Sequence, residues 1–341
     1  MGIMAWAMSF AVYAKANTLR VFGEPRKGSF PISEAYLVYA PEDGKTVEKV
    51  TGLLSEDIFR VTGKKVGMRT EVAGGHPVIL GIHGKGNGLI SRMVEEGRLD
   101  VSSLEGGCEQ FIIRRVENPL PGVKDALVIV GSDRRGVAYG AFTLSEAMGV
   151  SPFYWWADVP VERRARLWVK ADYVSDKPSV RYRGIFLNDE GWGLNPWAAK
   201  TFEKELGNFG PRTYAKVCEL LLRLQANYLC PAMHDASMAF HRIPENRVVA
   251  DRFAIIMGSS HCEPLLFNTA SEWKRDKMGE WDYINNKDGV NKVLKSRVDE
   301  CAPFENVYTL QLLKYVLPLT ASFFPEPMIK TGAFLFPIFT I

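Results

Sequence analysis

A chain of 341 residues has room for two domains, or for one large domain with a smaller partner. A hydrophobic content of 47% and a charged content of 24% are ordinary for a globular protein, and a net charge of +3 without any basic run argues against nucleic acid. Five scattered cysteines (Cys108, Cys218, Cys230, Cys262, Cys301) include no CxxC pair and read as free core thiols, and no run nears the roughly 20 apolar residues of a membrane span.

In chain order, residues 1–16 come first. They are apolar and uncharged up to Lys15, and Ala14-Lys15-Ala16 fits the small-x-small cleavage rule. They read as a secretory signal lacking its basic n-region, which implies a secreted or periplasmic protein. An ordinary apolar N-terminal segment is the alternative.

Residues 17–175 read as an α/β domain. Ala35-Tyr-Leu-Val-Tyr-Ala40 is a short strand, and Thr46 to Thr62 has helical spacing through Val47, Val50, Leu53, Leu54 and Ile58. Pro77 to Ile82, Phe111 to Val116 and Leu127 to Val130 are further strands. Gly131-Ser-Asp133 then opens a helix that runs to about Met148, with Ser132 or Asp133 as N-cap and Gly149 as the stop. Such a helix start can hold an anion or simply cap a crossover helix. Ser151-Pro-Phe-Tyr-Trp-Trp-Ala-Asp158 is aromatic, and either reaches over a site or packs as a hinge. Ser175-Asp-Lys-Pro-Ser179 reads as a linker.

Residues 180–310 repeat strand, loop and helix. Strands are expected at Arg183 to Asn188, Asn227 to Pro231, Ala254 to Met257 and Asn306 to Leu310, and helices at Pro211 to Gln225, Pro244 to Phe253 and Asp288 to Cys301. Alternation of this kind implies a parallel sheet with right-handed crossovers. Polar residues gather after the first three strands, as at the mouth of a barrel, and no GxGxxG follows the first strand. The expected fold is therefore an N-terminal α/β domain followed by an incomplete (β/α)8 barrel of about four βα units. A full barrel takes about 250 residues. Residues 311–341 carry four prolines, end in Phe334-Leu-Phe-Pro-Ile-Phe-Thr-Ile341 and break the pattern. They read as a frameshifted or truncated end, or else as a short apolar tail covering the open sheet edge.

The chemistry gathers at the strand ends. Arg183-Gly-Ile-Phe-Leu-Asn-Asp-Glu-Gly-Trp-Gly-Leu-Asn-Pro-Trp197 closes a strand with Asn188, Asp189 and Glu190 beside the indoles of Trp192 and Trp197. Carboxylates supply general acid, general base or hydroxyl-binding groups, and indole faces stack on sugar rings. Asp189 and Glu190 are adjacent and point to opposite sides, so Asp189 is the first catalytic candidate and Glu190 the second. His234, His261 and Glu263 stand at the next two strand ends as hydroxyl or carboxylate binders, joined by Asn188, Trp192 and Trp156. His261-Cys262-Glu263 is not spaced for a metal, and Ser259-Ser260 lacks the GxSxG elbow. Glu280-Trp-Asp-Tyr283 is either a lid or a packed loop.

These stretches, with Pro231-Ala-Met-His234, Met257-Gly-Ser-Ser-His-Cys-Glu-Pro264, Gly131-Ser-Asp-Arg-Arg-Gly136 and Gly149-Val-Ser-Pro-Phe-Tyr-Trp-Trp-Ala-Asp158, resemble glycoside hydrolase family 115, the xylan α-1,2-glucuronidases. The resemblance runs from about Asn17 to Leu310. It implies inverting removal of glucuronic acid, or its 4-O-methyl ether, from xylan-derived polysaccharide or oligosaccharide in a pocket at a barrel mouth, without a cofactor. A homo-oligomer is compatible with it. Cys230 stands where the family carries tryptophan, and residues from Gln311 onward match none of it. These departures leave the second carboxylate unplaced and imply impaired activity, with a non-catalytic carbohydrate-binding remnant as the alternative.

Overall fold

The computed structural model describes residues 17–84, 88–188, 191–261 and 263–310. Ten strands and eight α-helices follow one another there. They are β1 (Thr18–Phe22), β2 (Tyr36–Tyr39), α1 (Lys45–Thr62), β3 (Met68–Arg69), β4 (Pro77–Ile82), α2 (Gly88–Glu95), β5 (Phe111–Leu120), β6 (Val123–Gly131), α3 (Arg134–Ala147) and β7 (Trp168–Val174). Then come β8 (Gly184–Phe186), α4 (Leu194–Trp197), α5 (Pro211–Arg223), β9 (Tyr228–Cys230), α6 (Pro244–Arg252), β10 (Ile256–Met257), α7 (Arg275–Met278) and α8 (Lys287–Cys301).

The first seven strands form one mixed sheet in the order β1-β7-β5-β6-β4-β2-β3. Strands β6, β4, β2 and β3 are parallel, while β5, β7 and β1 pair antiparallel. Side chains alternate across this sheet as the pleat requires. Val78, Leu80 and Ile82 enter one core beneath α1 and α3, while Ile79, Val128 and Val130 enter the other beneath α2. The helix expected at Thr46 to Thr62 forms with its apolar stripe buried, and ends at Gly63 in the left-handed conformation. Asp133 caps α3, accepting from the amides of Arg135 and Gly136. Its carboxylate thus occupies the helix start where an anion would otherwise sit.

Strands β8, β9 and β10 form a second, wholly parallel sheet in the order β10-β9-β8. Gly184 is required by close approach, because a Cβ there would lie 1.8 Å from the Tyr228 carbonyl oxygen. The strand expected at Asn306 to Leu310 reduces to one parallel bridge between Asn306 and Met257. Met257 N donates to the Glu305 carbonyl and Val307 N to the Met257 carbonyl around that bridge, while further on the Thr309 carbonyl accepts from Leu265 N. Strands β1 and β7, which local patterning did not suggest, pair with each other at one edge of the large sheet.

The two sheets share one core. Helices α5 and α6 pack on α3 and α1, and Tyr214, Val217, Leu221, Leu229 and Met257 join the cluster that holds Leu37, Leu54 and Ile129. Charges lock the seam. Arg134 reaches Asp251 at 2.9 Å and Glu305 at 2.7 Å, and Arg135 reaches Glu109 and Glu305 at 2.7 Å each. The Gly131-Ser-Asp-Arg-Arg-Gly136 motif is therefore a clamp between the sheets.

A smaller cluster gathers Leu265, Leu266, Phe267, Val298 and Tyr308 around α8, with Trp273 and Trp281 packed against it. Trp281 stacks on Phe267, so the Glu280 to Tyr283 segment packs as a loop there. His241 is buried beside this cluster, its Nδ1 lying 3.5 Å from Cys301 Sγ and its Nε2 without a hydrogen bond. Burial first, then the Arg297 and Arg247 guanidiniums, hold its pKa well below 6.5. The unfolded chain then binds the proton that the folded chain refuses. Stability is full above about pH 6.5 and falls as pH drops below it, by at most ~1.4 kcal/mol per pH unit. We expect His241→Phe to flatten this dependence between pH 6.5 and 5.5, measured by urea unfolding at each pH. An unchanged slope would contradict the assignment.

Candidate functional site at the strand ends

Parallel pairing aligns the carboxyl ends of β8, β9 and β10, so the loops after them share one face. Asp189 and Glu190 lie outside the described residues. Asn188, the last described residue before them, is exposed, and its Oδ1 lies 3.0 Å from His234 Nε2 in the loop after β9. This pairs two of the residues singled out in the sequence. A second link runs from Asn195 Nδ2 of α4 to the Ala236 carbonyl of the loop after β9 at 2.7 Å.

After β10, His261 is exposed and Glu263 is 4% exposed. Both Glu263 carboxylate oxygens are engaged: Oε2 accepts from Ser260 N at 3.1 Å and Oε1 from Asn268 Nδ2 at 3.0 Å. Burial pushes its pKa up, against the opposing pull of those two donors. Glu263 thus faces inward, beneath the loop, rather than out toward solvent. Leu265 and Leu266, just beyond, have φ of 50° and 67°. Left-handed backbone at a residue with a bulky side chain costs about 1–3 kcal/mol, so the surrounding contacts must hold this turn in place.

Cys230 ends β9. Its thiol lies 3.3 Å from the Tyr228 hydroxyl and 3.6 Å from the Ser259 carbonyl, and burial raises its pKa. The Tyr228 hydroxyl also explains Gly258, where a Cβ would sit 1.8 Å from that oxygen. Trp192 is 82% exposed. Trp156 belongs elsewhere: its indole N–H donates to the Lys216 carbonyl of α5 at 3.2 Å, and its ring packs with Trp155 and Trp197. That placement favours the packed-hinge alternative for Ser151 to Asp158. Among the described residues, no three His, Cys, Asp or Glu side chains are grouped to hold a metal ion.

Asn268 and Asn195 were missed in the sequence. Their signal is weak there, because an asparagine in a loop, as Asn268 is, usually marks only a turn, and Asn195 lies in the short helix α4. The described face offers amide and imidazole groups to solvent, with one carboxylate buried behind them. It can hold hydroxyl-rich or anionic ligands through hydrogen bonds.

A parallel α/β sheet with such groups at its strand ends is the arrangement of many carbohydrate-active proteins. The family model of glycosyl hydrolase family 115 matches residues 175–312, and a solved structure of that family resembles the chain more widely. That structure is BtGH115A, described as a family GH115 4-O-methyl-α-glucuronidase with specificity for decorated arabinogalactans. It is 36% identical, with a TM-score of 0.71 over 84% of this chain. The chain belongs to glycoside hydrolase family 115. It spans 37% of the length of BtGH115A. Weaker likenesses include CpGH84D, 10% identical with a TM-score of 0.47 over 87% of this chain and 43% of that one. Another is the β-N-acetylhexosaminidase of family GH20 from Streptomyces coelicolor A3(2), 12% identical with a TM-score of 0.42 over 69% of this chain and 44% of that one. No curated protein matches the chain.

Proposed function

We propose that the chain is an α-glucuronidase-type glycoside hydrolase, or the portion of one, that removes glucuronic acid or its 4-O-methyl ether from polysaccharide side chains with inversion. The observation that carries this reading is the 36% identity to a 4-O-methyl-α-glucuronidase over 84% of the chain. The Asn188–His234 pair supports it, since it joins the residue that precedes Asp189 in the sequence to an imidazole in the loop after β9. In this reading β8, β9 and β10 are the first strands of a (β/α)8 barrel, and their carboxyl ends form part of its mouth. Glucuronoxylan and decorated arabinogalactan carry the same terminal uronic acid, so both belong to the substrate class. A polymeric substrate implies a secreted or periplasmic protein.

Inversion needs two carboxyl groups about 6.5–9.5 Å apart, one donating a proton to the leaving oxygen and one activating water. Asp189 is assigned to one of these roles or to orienting the uronic acid, with Glu190 as its weaker alternate. Asn188, His234 and His261 hold sugar hydroxyls or the sugar carboxylate, and Trp192 offers a stacking face. Binding without turnover is the second reading. It is favoured by Glu263, whose engaged oxygens leave amide and imidazole groups as the described ligands.

The purified chain is incubated with 4-O-methylglucuronoxylan and with glucuronidated arabinogalactan oligosaccharides. Released uronic acid is quantified, and its first-formed anomer is read by proton NMR. The expected product is the β-anomer, with Asp189→Asn lowering the rate by about 10²–10⁴-fold if the residue transfers the proton. Millimolar uronic acid binding in calorimetry without release would establish the second reading. Neither release nor binding would remove both.

A further inference from the structure

We infer that Asn268 and Glu263 are positioning residues that hold the His234 loop and the His261 loop in fixed relation across the ends of β9 and β10. The inference rests on reading this face as the uronic-acid site. Asn268 is 2% exposed and joins both loops with one amide nitrogen, which donates to the Met233 carbonyl at 2.8 Å and to Glu263 Oε1 at 3.0 Å. Met233 immediately precedes His234. Glu263 passes the link on through Oε2, which accepts from Ser260 N beside His261. Its own carbonyl accepts from Ser259 Oγ at 2.9 Å, closing the turn.

The amide of Asn268 cannot reverse. Its Oδ1 accepts from Ser271 N at 2.9 Å and from Ser271 Oγ at 3.0 Å, so a flipped amide would lose partners on both sides. The assembly is anchored from behind. Asn268 N donates to Glu272 Oε2 at 3.0 Å, and Glu272 Oε1 pairs with Arg297 of α8 at 2.6 Å. Arg297 also donates to the Leu266 carbonyl at 2.9 Å, which secures the left-handed turn. A buried chain of fully oriented donors and acceptors therefore runs from α8 to the two histidine loops. Buried networks of this kind fix one geometry, because any alternative leaves a polar group unpaired.

The test uses the whole chain with carbon-13-labelled histidine rings. Asn268→Ala removes the shared donor. Glu263→Gln keeps the shape but turns an NH2 group toward either Ser260 N–H or the immobile Asn268 amide. Both variants are expected to move the ring signals of His234 and His261, while those of His76 and His83 stay in place. The dissociation constant for glucuronic acid is expected to rise about tenfold. Unmoved His234 and His261 signals in a folded variant overturn the inference. Should Asn268→Ala fail to fold, the isosteric Glu263→Gln decides alone. Wild-type chain that binds no glucuronic acid defeats the sugar reading, whereas the histidine signals still judge the positioning role.

Discussion

Glu109→Ala is expected to destabilise the protein by about 3–5 kcal/mol, the usual cost of removing one partner from a buried ionic network. Glu109 is 5% exposed and serves both sheets. Oε1 accepts from Arg135 Nε at 2.7 Å and from Asn227 Nδ2 at 2.7 Å, while Oε2 accepts from Arg183 Nη2 at 2.5 Å. Arg183 immediately precedes β8 and Asn227 immediately precedes β9. Removing the carboxylate takes the shared acceptor from two guanidiniums and an amide at the entry of those strands, and leaves Arg183 with backbone carbonyls and the Tyr139 hydroxyl but no carboxylate partner. Glu109 has φ of 58°, so alanine also retains the backbone strain without its compensation. Equilibrium urea unfolding checks the result. A loss under about 1 kcal/mol, the size of an exposed pair, would remove Glu109 from its proposed place at the centre of the seam.

Arg223→Ala is expected to cost a similar amount, about 3–5 kcal/mol, for the same physical reason on the other side of the seam. Arg223 on α5 holds Asp57 of α1 at 2.8 Å and 3.1 Å, and Glu219 one turn before it at 2.8 Å. The Asp57 side chain is wholly buried. Without Arg223 it keeps Arg60 at 2.9 Å as its remaining ion-pair partner. Burial alone would raise the Glu219 pKa, but Arg223 and Lys216 outweigh it and hold the group below 4.5. The stability Glu219 contributes is therefore present above about pH 4.5 and is lost as pH falls through the lowered folded value. The cost of Arg223→Ala should accordingly be larger at pH 7 than at pH 3. Tryptophan fluorescence follows it well, since Trp155 and Trp156 pack beside α5. Equal costs at both pH values would contradict the role given to Glu219.

The legible parts of this molecule were those with local signals. Helix α1 announces itself through an apolar stripe at helical spacing, α3 through Asp133 as its cap, and α5 through Pro211 at its start. Strand β4 is a short apolar run with clear limits and appears as read. Strands β1 and β7 were not legible, because Thr18 finds its partner at Asp172 and each strand is a half-exposed run with charges on it. The strand expected after Asn306 failed for a comparable reason. Its residues have strand-like composition, but beyond the Met257 bridge its Thr309 carbonyl accepts from Leu265 N of the left-handed turn.

The site divides along the same line. Asn188, His234, His261 and Glu263 were legible as polar residues directly after strands, because a parallel sheet delivers such positions to one face. That Asn188 meets His234 while Glu263 turns inward depended on hydrogen bonds between loops. Trp156 was read from its aromatic neighbourhood as a sugar face; that its indole N–H donates to the Lys216 carbonyl depended on how α5 packs.

By itself, then, the sequence determined the alternation of strands and helices, the caps, the strand-end polar positions and the family. Each is encoded within a few residues by periodicity, φ preference or an unbroken motif. Only the tertiary structure decided that the Glu263 carboxylate is engaged, how Arg134, Arg135, Arg183 and Arg223 fasten two sheets into one core, and why Asn268 matters. Those outcomes rest on buried polar groups that must find partners far along the chain, and no local pattern names the partner.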